Sequence, residues 1–373
     1  MVLAAKADSK SSWAILGLLR FALAFIVVGG HIYNQYAPPG DWTHCMWWAG
    51  PGCVYSFFLI SGYSIAASLE RDESRFYMRR VVRIWPLYLA AIGLMCVAIA
   101  VTHGHFMPPH GLVKDAPSGL AFLGTLLMAQ SFLMPVNRFD GPMWSLSIEW
   151  WLYMVAPALR RIATPILLVV VAVSAWRFTL DPIRPYIVGC WVPLVWLWIT
   201  GFIYYRHKDK LWSLLVLAVP CAATYFIGGQ LSILPIYTII ALAFARYVTI
   251  RSAKAIAAMN WLADVSYPLY LVHTPVIVIM SVAGVQNSAE LIAGPIATAA
   301  VMLQAIDYPI RRRTATARQA AVRIDGGSGF TPSYPGPLRA GADPIRNLEA
   351  APTGGVGLPS NQPFRSATAE TEP

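Results

Sequence analysis

Five ionisable side chains lie inside long apolar stretches of this 373-residue chain: Arg20, His31, Glu149, His273 and Asp307. A charge at the centre of a membrane-spanning helix costs about 2.5 to 3.5 kcal/mol, so each is a candidate functional residue. Histidine and carboxylate are side-chain types that transfer protons in catalysis. For His273 and Asp307 a structural interpretation is preferred, as a hydrogen-bonded core residue and as the partner of a neighbouring arginine.

Arg20 and His31 lie eleven residues apart, a spacing that places them on one helix face. At about 100° per residue, eleven steps approach three full turns, and the side chains share a stripe about 16 Å long. His31 is a candidate general base, and Glu149 behind it would fix its tautomer and raise its basicity. Two alternatives stay open, since Arg20 could extend toward the cytoplasmic surface and His31 could be an interfacial histidine bonded to a neighbour.

A second group of histidines, His103, His105 and His110, lies near Asp115 in a loop between apolar runs. A His-x-His step can bind a metal ion, but no further ligand follows at a firm spacing. We therefore predict no metal site.

The composition indicates that the candidate functional residues lie on elements that face lipid. Apolar side chains make up 57% of the chain, charged ones 12%, and the mean hydropathy is +0.54. A soluble domain of this size has too little interior for them, so long apolar runs must face lipid. Soluble enzymes, secreted mini-scaffolds and disordered proteins are excluded. The net charge of +10 comes from basic residues where apolar runs end, which does not indicate nucleic-acid binding.

Eleven apolar runs near the spanning length of about 20 residues predict an all-α, polytopic helix bundle. The first run lacks the cleavage pattern of a signal peptide and is interpreted as a retained helix. The run at 119–135 is short and flanked by His, Pro and Gly, so we predict it to be re-entrant or interfacial, which leaves about ten crossings. The runs lie at 13–34, 50–69, 84–102, 119–135, 144–159, 163–180, 187–205, 211–228, 231–248, 266–284 and 289–309.

Basic residues at the ends of these runs orient them. All the clusters are predicted to be cytoplasmic, with both termini on that side and the loops 35–49, 103–118 and 136–143 outside. The clusters are Lys6 and Lys10; Arg71, Arg75, Arg79, Arg80 and Arg83; Arg160 and Arg161; Arg206, Lys208 and Lys210; Arg246, Arg251 and Lys254; and Arg311, Arg312 and Arg313.

The chain divides into three parts on this reading. Residues 1–12 form a cytoplasmic N-terminal segment, and residues 13–310 form the transmembrane domain. Residues 311–373 are basic and then rich in Pro and Gly, a composition that cannot bury a core. We predict a disordered cytoplasmic tail there.

Five fragments, in order along the chain, carry a resemblance to a known family. Each alone is a weak signal, because apolar helices resemble one another, but their order and polar residues make the joint signal strong. The fragments are Leu19–Ala24 with His31, Phe57–Tyr63, Arg79–Tyr88, Trp144–Glu149 and Ser266–His273. With them, over roughly residues 13 to 310, the chain resembles the acyltransferase family 3 membrane proteins, bacterial O-acyltransferases that modify envelope and exported polysaccharides. The family often has a glutamate where this chain has Asp307, which is a conservative departure.

The resemblance implies transfer of an acetyl, sometimes a succinyl, group from cytoplasmic acyl-CoA to a sugar hydroxyl at the bacterial inner membrane. The implied partners are acyl-CoA, a carbohydrate or lipid-linked carbohydrate acceptor and membrane lipid, with no bound cofactor. His31 backed by Glu149 would take the hydroxyl proton, and either Ser145 or Ser147 would donate to the oxyanion. Arginines would bind the donor phosphates, although cytoplasmic topology alone also explains such a run. The implied substrate-binding residues are Arg20, Arg79, Arg80, Arg83, Ser61, Tyr63, Trp144, Ser145 and Ser147.

Two rival functions remain open at the level of sequence. A transporter or flippase for lipid-linked sugars would line its path with the same buried charges, although no inverted repeat is visible. Alternatively, His31 could carry the acyl group covalently before the acceptor arrives. The motifs GxxxxGK[ST], HExxH and GxSxG are absent from the sequence, so ATP-driven pumping and serine-hydrolase chemistry lack their usual signatures.

Overall fold

The computed structural model describes residues 10–38, 40–47, 49–111, 113–180, 191–228, 234–245 and 247–325. These residues are mostly helical, which confirms the all-α prediction for them, and their one sheet is a two-residue hairpin, β1 (His105–Phe106) with β2 (Lys114–Asp115). The helices are α1 (Lys10–Gln35), α2 (His44–Trp47), α3 (Gly50–Arg71), α4 (Phe76–Val101), α5 (Gly119–Leu126), α6 (Met143–Arg161), α7 (Thr164–Leu180), α8 (Val195–Arg206), α9 (Ser213–Gly228), α10 (Leu234–Phe244), α11 (Ala253–Val282), α12 (Ser288–Met302) and α13 (Tyr308–Asp325).

Five helical ranges in the described part of the chain are long and apolar enough to cross a membrane. Helix α7 is apolar but shorter. Apolar helices of spanning length are therefore present, as the composition predicts, while the count of ten crossings and the sidedness of the termini stay predictions. The five ranges are Lys10–Gln35, Gly52–Arg71, Phe76–Val101, Ala253–Val282 and Ser288–Ala317.

The run at 119–135 forms only the eight-residue helix α5 before the chain turns. Ser118 caps the helix by accepting from the backbone N–H of Ala121. Met128 and Ser131 then adopt positive φ angles of 50° and 59°, a conformation that a regular helix excludes. Eight residues span about 12 Å, far less than a bilayer core, so the segment agrees with the prediction of a non-crossing element.

Two long helices begin earlier than their apolar runs. Helix α4 starts at Phe76 rather than near 84, and α11 starts at Ala253 rather than near 266. At α11 the hydroxyl of Ser252 accepts from the backbone N–H of Ala255, a standard N-terminal cap. Hydropathy detects only the apolar part of a helix that faces lipid. The polar first turns of α4 and α11 are therefore missed when helix starts are predicted from apolar runs.

Helices α3 and α8 pack through a reciprocal pair of glycines. A Cβ added at Gly62 would overlap the carbonyl oxygen of Trp198, and one added at Gly201 would overlap that of Leu59. Small residues allow this close approach of two helix backbones, which is a common basis of helix association in membranes. Helices α1 and α11 approach similarly at Gly17, where a Cβ would meet that of Ala263 at 2.5 Å.

Ion pairs gather where α3, α6 and α8 end and α4 begins. Glu73, just after α3, pairs with Arg160 of α6 at 2.8 Å, and Glu70 of α3 pairs with Lys208, just after α8, at 3.1 Å. We call this the basic end. The opposite end of α4 leads to the β1–β2 hairpin, where the backbone N–H of His110 bonds to the carbonyl of Gln35 at the end of α1. We call this the loop end.

The last helix extends past the predicted start of the tail. Arg311 pairs with Asp307 one turn earlier at 2.6 Å and with Asp264 at 2.9 Å, and α13 continues to Asp325. Residues 311–325 are therefore helical rather than disordered, because these pairs and good helix formers carry the helix on. The described residues up to Gln319 form one compact unit. A second unit begins at Ala320, and its described residues are the last six of α13. The tail predicted at 326–373 lies outside the described residues.

Candidate active site

Two histidines contact each other toward the loop end of α1 and α11. The ring centroids of His31 and His273 lie 5.3 Å apart, with the rings tilted by 36°. His31 keeps part of its surface exposed, whereas His273 is fully buried. One imidazole can therefore meet a substrate while its neighbour stays dry. We call these two residues, with Tyr270 and Ser145, the histidine pocket.

The backbone of α11 determines which ring nitrogen of His273 carries the hydrogen. Its Nδ1 lies 2.9 Å from the carbonyl oxygen of Tyr270 and 3.3 Å from that of Leu269. A carbonyl oxygen only accepts, so Nδ1 carries the hydrogen and Nε2 of the neutral ring carries the lone pair. Nε2 is buried and has no partner among the described residues. His273 therefore adds an unpartnered acceptor to the pocket.

The first turns of α6 contribute two serines that behave differently. Ser145 Oγ lies 2.7 Å from the Tyr270 hydroxyl and donates to the carbonyl oxygen of Pro142 at 3.2 Å. Ser147 Oγ donates to the carbonyl oxygen of Met143 at 3.2 Å and is fully buried. Both serines thus bond to a nearby backbone carbonyl, but Ser145 also reaches Tyr270 on α11 and belongs to the histidine pocket.

A buried lysine and a buried aspartate lie beside the histidine pocket. Lys114 of β2 donates to the carbonyl oxygen of Arg138 at 3.1 Å and is one of the charges that act on both histidines. Asp140 ends the short 3-10 turn before α6 and acts electrostatically on Tyr270. Burial lowers the pKa of Lys114 to about 8, against the opposing charge of Asp140. Burial also raises the pKa of Asp140 well above its usual value, which the charge of Lys114 opposes.

Arg20 lies in a second polar cluster, toward the basic end. Its guanidinium donates to Ser64 Oγ of α3, and Arg83 and Glu149 are among the charges that act on it. Arg20 and Arg83 act in turn on Arg80. We call Arg20, Arg80, Arg83 and Glu149 the arginine cluster. Three like charges in one region favour an anionic ligand.

A chain of hydrogen bonds holds Glu149 in this cluster. Its carboxylate accepts from the Tyr153 hydroxyl at 2.5 Å, one turn further along α6. That hydroxyl lies 3.0 Å from Ser61 Oγ, to which Trp198 Nε1 also donates at 3.2 Å. Ser61 is thus part of a buried network that links α3, α6 and α8.

Glu149 and His31, which the sequence analysis paired, lie in different clusters. The charges that act most strongly on His31 are those of His273 and Lys114, and Glu149 is not among them. No hydrogen bond in the described part of the chain joins Glu149 to His31. The carboxylate behind the imidazole therefore stays a prediction that the observed contacts do not support.

The three arginines near the start of α4 differ in how they are paired. Arg79 forms an ion pair with Asp72 at 2.5 Å, which neutralises its charge. Arg80 donates to Ser68 Oγ at 2.7 Å, while its Nε has no partner among the described residues. Arg83 is exposed. Arg80 and Arg83 therefore keep their charges available for an anion.

Tyr63 and Trp144, two of the predicted substrate-binding residues, are buried in the helix bundle. The Tyr63 ring packs against Tyr205, Tyr204 and Trp13, with centroids 5.0, 5.9 and 5.9 Å away. Trp144 is 8% exposed and belongs to the main apolar core. Both residues pack other elements here, and their contact with substrate stays a prediction.

The remaining ionisable candidates have local partners. His105 pairs with Asp115 across the hairpin at 2.8 Å, and both are exposed. Asp307 pairs with Arg311, as interpreted from the sequence. Within the described ranges, no group of three or more His, Cys, Asp or Glu is arranged to hold a metal ion.

Sequence reasoning missed how His273, Tyr270, Lys114 and Asp140 gather around the candidate base. His273 is the buried, hydrogen-bonded residue that the sequence suggested, but it also contacts His31. Its spacing of three residues from Tyr270 on α11 was a readable signal, because such residues share a helix face. Lys114 and Asp140 gave no such signal, since their proximity depends on how short loop elements fold.

The sequence is similar to those of known proteins over most of its length. The chain matches the family described as "Acyltransferase domain" over residues 13–306. It is 25% identical over 298 residues to "Nodulation protein 10" of Rhizobium leguminosarum bv. viciae, covering 69% of this chain and 80% of that protein. It is 27% identical over 270 residues to "Acyltransferase MdmB" of Streptomyces mycarofaciens, covering 61% of this chain and 68% of that protein.

A more distant likeness covers less of the chain. "Putative acetyltransferase ORF330" of Acidianus two-tailed virus is 25% identical over 158 residues, covering 39% of this chain and 44% of that protein. No solved structure matches the chain. The likeness to known proteins therefore rests on sequence, and it spans both the histidine pocket and the arginine cluster.

Proposed function

Because this chain belongs to acyltransferase family 3 and is an O-acyltransferase, we propose the following reaction. The enzyme moves an acetyl or succinyl group from cytoplasmic acyl-CoA to a hydroxyl of an envelope or exported carbohydrate. The proposal places the chain in the bacterial inner membrane, with about ten crossings and the basic end in the cytoplasm. Acyl-CoA and the acceptor are substrates, and no bound cofactor takes part.

One observation carries the proposal: helix α1 bears a candidate base in one cluster and an anion-binding arginine in another. His31 and Arg20 lie eleven residues apart on α1, about 16 Å along the helix. A donor whose phosphates bind at the arginine cluster would extend its arm along α1 and present the thioester near His31. The acceptor would arrive from the loop end.

The reaction needs a base at the acceptor hydroxyl. In the proposed step the His31 imidazole takes the hydroxyl proton as the oxygen attacks the thioester carbonyl carbon. The tetrahedral intermediate then collapses, the C–S bond breaks, and the coenzyme leaves as a thiol after taking up a proton. His31 is partly exposed and its ring contacts that of His273, and both observations support this role.

Charge supports an anionic donor at the basic end. The phosphates of acyl-CoA would meet Arg80 and Arg83, whose guanidinium groups bind phosphate with paired hydrogen bonds. Arg20 would contact a deeper part of the donor. Arg79, already paired with Asp72, would hold the start of α4 rather than bind the donor.

The oxyanion of the tetrahedral intermediate requires a hydrogen-bond donor. Ser145 is the better candidate of the two serines, because its hydroxyl lies 2.7 Å from the Tyr270 hydroxyl in the histidine pocket. The Ser147 hydroxyl donates to its own helix. Glu149 would act through Arg20 and Tyr153 by holding the arginine cluster in place, in preference to the earlier hypothesis that it supports His31.

The test is acyl transfer in membranes that carry the full chain. Radiolabelled acetyl-CoA and succinyl-CoA are supplied to membranes with wild-type protein or His31→Ala at equal expression, and label in envelope carbohydrate is counted. We expect label from one donor with wild type and background label with His31→Ala.

The outcomes separate the proposal from its rivals. No label from either donor with wild type, despite folded protein and host carbohydrate, would contradict the proposal and favour a transporter. Hydrolytically labile label on the protein itself, trapped at neutral pH and absent in His31→Ala, would replace direct attack by covalent relay through the imidazole.

A further inference from the structure

Asp140 is the most isolated carboxylate in the described part of the chain. It is 0% exposed, and neither Oδ1 nor Oδ2 has a hydrogen-bond partner among the described residues. Buried carboxylates are normally paired or hydrogen-bonded, because an ion removed from water is otherwise strongly unfavourable. Two empty acceptor atoms on one buried side chain point to a ligand that supplies donors.

The usual structural role of an aspartate at this place does not apply. Asp140 lies three residues before Met143, the first residue of α6, and thus two positions before the N-cap residue Pro142, the position from which an aspartate would cap the free N–H groups of the helix. The start of α6 has no side-chain cap, and its first N–H groups bond to backbone carbonyls instead. The turn that carries Asp140 is held by Asn137, whose Oδ1 accepts from the N–H of Phe139 at 3.0 Å.

Lys114 is the complementary group in the same region. It is 5% exposed, and Nζ gives one of its three N–H donors to the carbonyl oxygen of Arg138 at 3.1 Å. Lys114 and Asp140 act on each other electrostatically but form no ion pair within 4.0 Å in the described structure. An ammonium with unused donors and a carboxylate with unused acceptors are therefore both buried without direct contact.

Both groups lie near the helix that carries His273. The turn that carries Asp140 contacts β2, which carries Lys114, and also contacts α11. Lys114 acts electrostatically on His31 and His273, and Asp140 acts on Tyr270, whose ring centroid lies 5.9 Å from that of His273. The two groups sit on a two-residue strand and a three-residue turn at the loop end, not on a spanning helix. Short outer elements of this kind can part to admit a ligand more readily than packed helices.

We propose that Asp140 and Lys114 form the acceptor subsite of this enzyme and recognise a polyhydroxyl compound by neighbouring hydroxyl groups. Asp140 accepts hydrogen bonds from two hydroxyls through its two oxygens, and the Lys114 ammonium donates to a hydroxyl oxygen. This inference rests on the proposed function, since it names the group that delivers the acceptor to His31.

The chemistry of a sugar fits this pair better than that of a simple alcohol. Each sugar hydroxyl both donates and accepts, so adjacent hydroxyls can satisfy a carboxylate and an ammonium together. A compound with one hydroxyl leaves at least one of these buried groups unsatisfied, which penalises its binding. The subsite therefore selects polyols, while His31 selects only a hydroxyl.

The experiment compares a polyol with a simple alcohol as acceptor. Purified full-length protein in lipid nanodiscs receives acetyl-CoA or succinyl-CoA, with methyl α-D-glucoside, 1-propanol or no acceptor, and coenzyme release and acyl product are measured. For wild type we expect methyl glucoside to be the better acceptor. For Asp140→Asn we expect a loss of about tenfold or more in kcat/KM for methyl glucoside, with less than a twofold change for 1-propanol and for hydrolysis.

Asp115→Asn is the matched control, because it makes the same chemical change on an exposed residue of the hairpin that carries Lys114. It should leave all three rates unchanged. An equal loss for all acceptors in Asp140→Asn, no loss in that variant, or a wild type that uses methyl glucoside no better than 1-propanol would each overturn the subsite. A wild type that consumes neither donor under any condition would contradict the proposed function instead.

Discussion

Helix α1 joins two polar clusters that differ in how completely they are satisfied. In the arginine cluster Arg20 bonds to Ser64 and Glu149 bonds to Tyr153, while Nε of Arg80 has no partner among the described residues. Around the histidine pocket, Nε2 of His273 and both oxygens of Asp140 have no partner among the described residues. Protein interiors pair nearly all buried polar atoms, so an unpaired set marks a place that a ligand completes.

The difference suggests a division of labour between the two clusters. The arginine cluster has excess positive charge but an ordered framework, as a site for a polyanion of fixed shape requires. The histidine pocket has a base and unused hydrogen-bonding atoms, as a site for a hydroxyl compound requires. Four measurements test whether the two clusters have these separate roles.

The largest effect is expected at His31. Replacing it by glutamine (His31→Gln) removes the base, and acyl transfer should fall by about 10³-fold, within the range for loss of a general base. The KM for acyl-CoA should change little, because the donor phosphates bind at the other cluster. His110→Gln, an exposed histidine in the loop, is the control and should transfer normally. A large rise in the KM for acyl-CoA would instead mean that His31 also contributes to donor binding, so that the two clusters act as one site.

Arg83 gives the reciprocal test at the basic end. Arg83→Ala removes an exposed guanidinium from the arginine cluster, and the KM for acyl-CoA should rise by about tenfold with kcat nearly unchanged. Arg75→Ala changes an exposed arginine just before α4 and serves as the control. Steady-state kinetics with varied acyl-CoA measure both variants. An unchanged KM in Arg83→Ala would mean that the arginines near the start of α4 orient the helix in the membrane and do not bind the donor.

The pH dependence of acceptor use tests the lysine beside the histidine pocket. Burial lowers the pKa of Lys114 to about 8, so the ammonium is present below that pH and is lost above it. Transfer to methyl glucoside should therefore fall by about fourfold between pH 7 and 8.5 through this group. Lys114→Arg keeps its charge and should flatten this fall. The same fall in both proteins would assign the pH dependence to another group.

The smallest effect separates the two roles considered for Glu149. If it orders the arginine cluster, Glu149→Gln should raise the KM for acyl-CoA by about threefold, as expected for one weakened hydrogen bond. The pH profile of kcat should then match that of wild type. If Glu149 instead supports His31, kcat should fall and its pH profile should shift. Kinetics of wild type and Glu149→Gln across pH decide between these outcomes.

Much of the helical architecture could be predicted from local pattern. Apolar runs of spanning length marked α1, α3, α4, α11 and α12, and the short run at 119–135 was correctly predicted to form no spanning helix. Helix starts and the extension to Asp325 were missed, because caps and ion pairs act on polar residues that hydropathy does not detect.

The candidate site was predictable only where one helix carries it. The shared face of Arg20 and His31 followed from the rotation per residue of α1. The neighbour of His31 could not be found in this way, because His273 lies on α11 and their contact depends on tertiary packing. The same holds for Glu149, which lay in the expected stretch but bonds to Tyr153 on its own helix.

The reciprocal glycines of α3 and α8 have a consequence for motion. Because each backbone fits against the other without a side chain between them, α3 and α8 should move as one rigid body, and the close contact at Gly17 makes α1 and α11 a second one. The hydrogen bond from Arg20 to Ser64 crosses between these two bodies. Any rocking of one helix pair against the other would therefore strain the bond between Arg20 and Ser64, so the position of the donor-binding arginine depends on how the two pairs are set against each other.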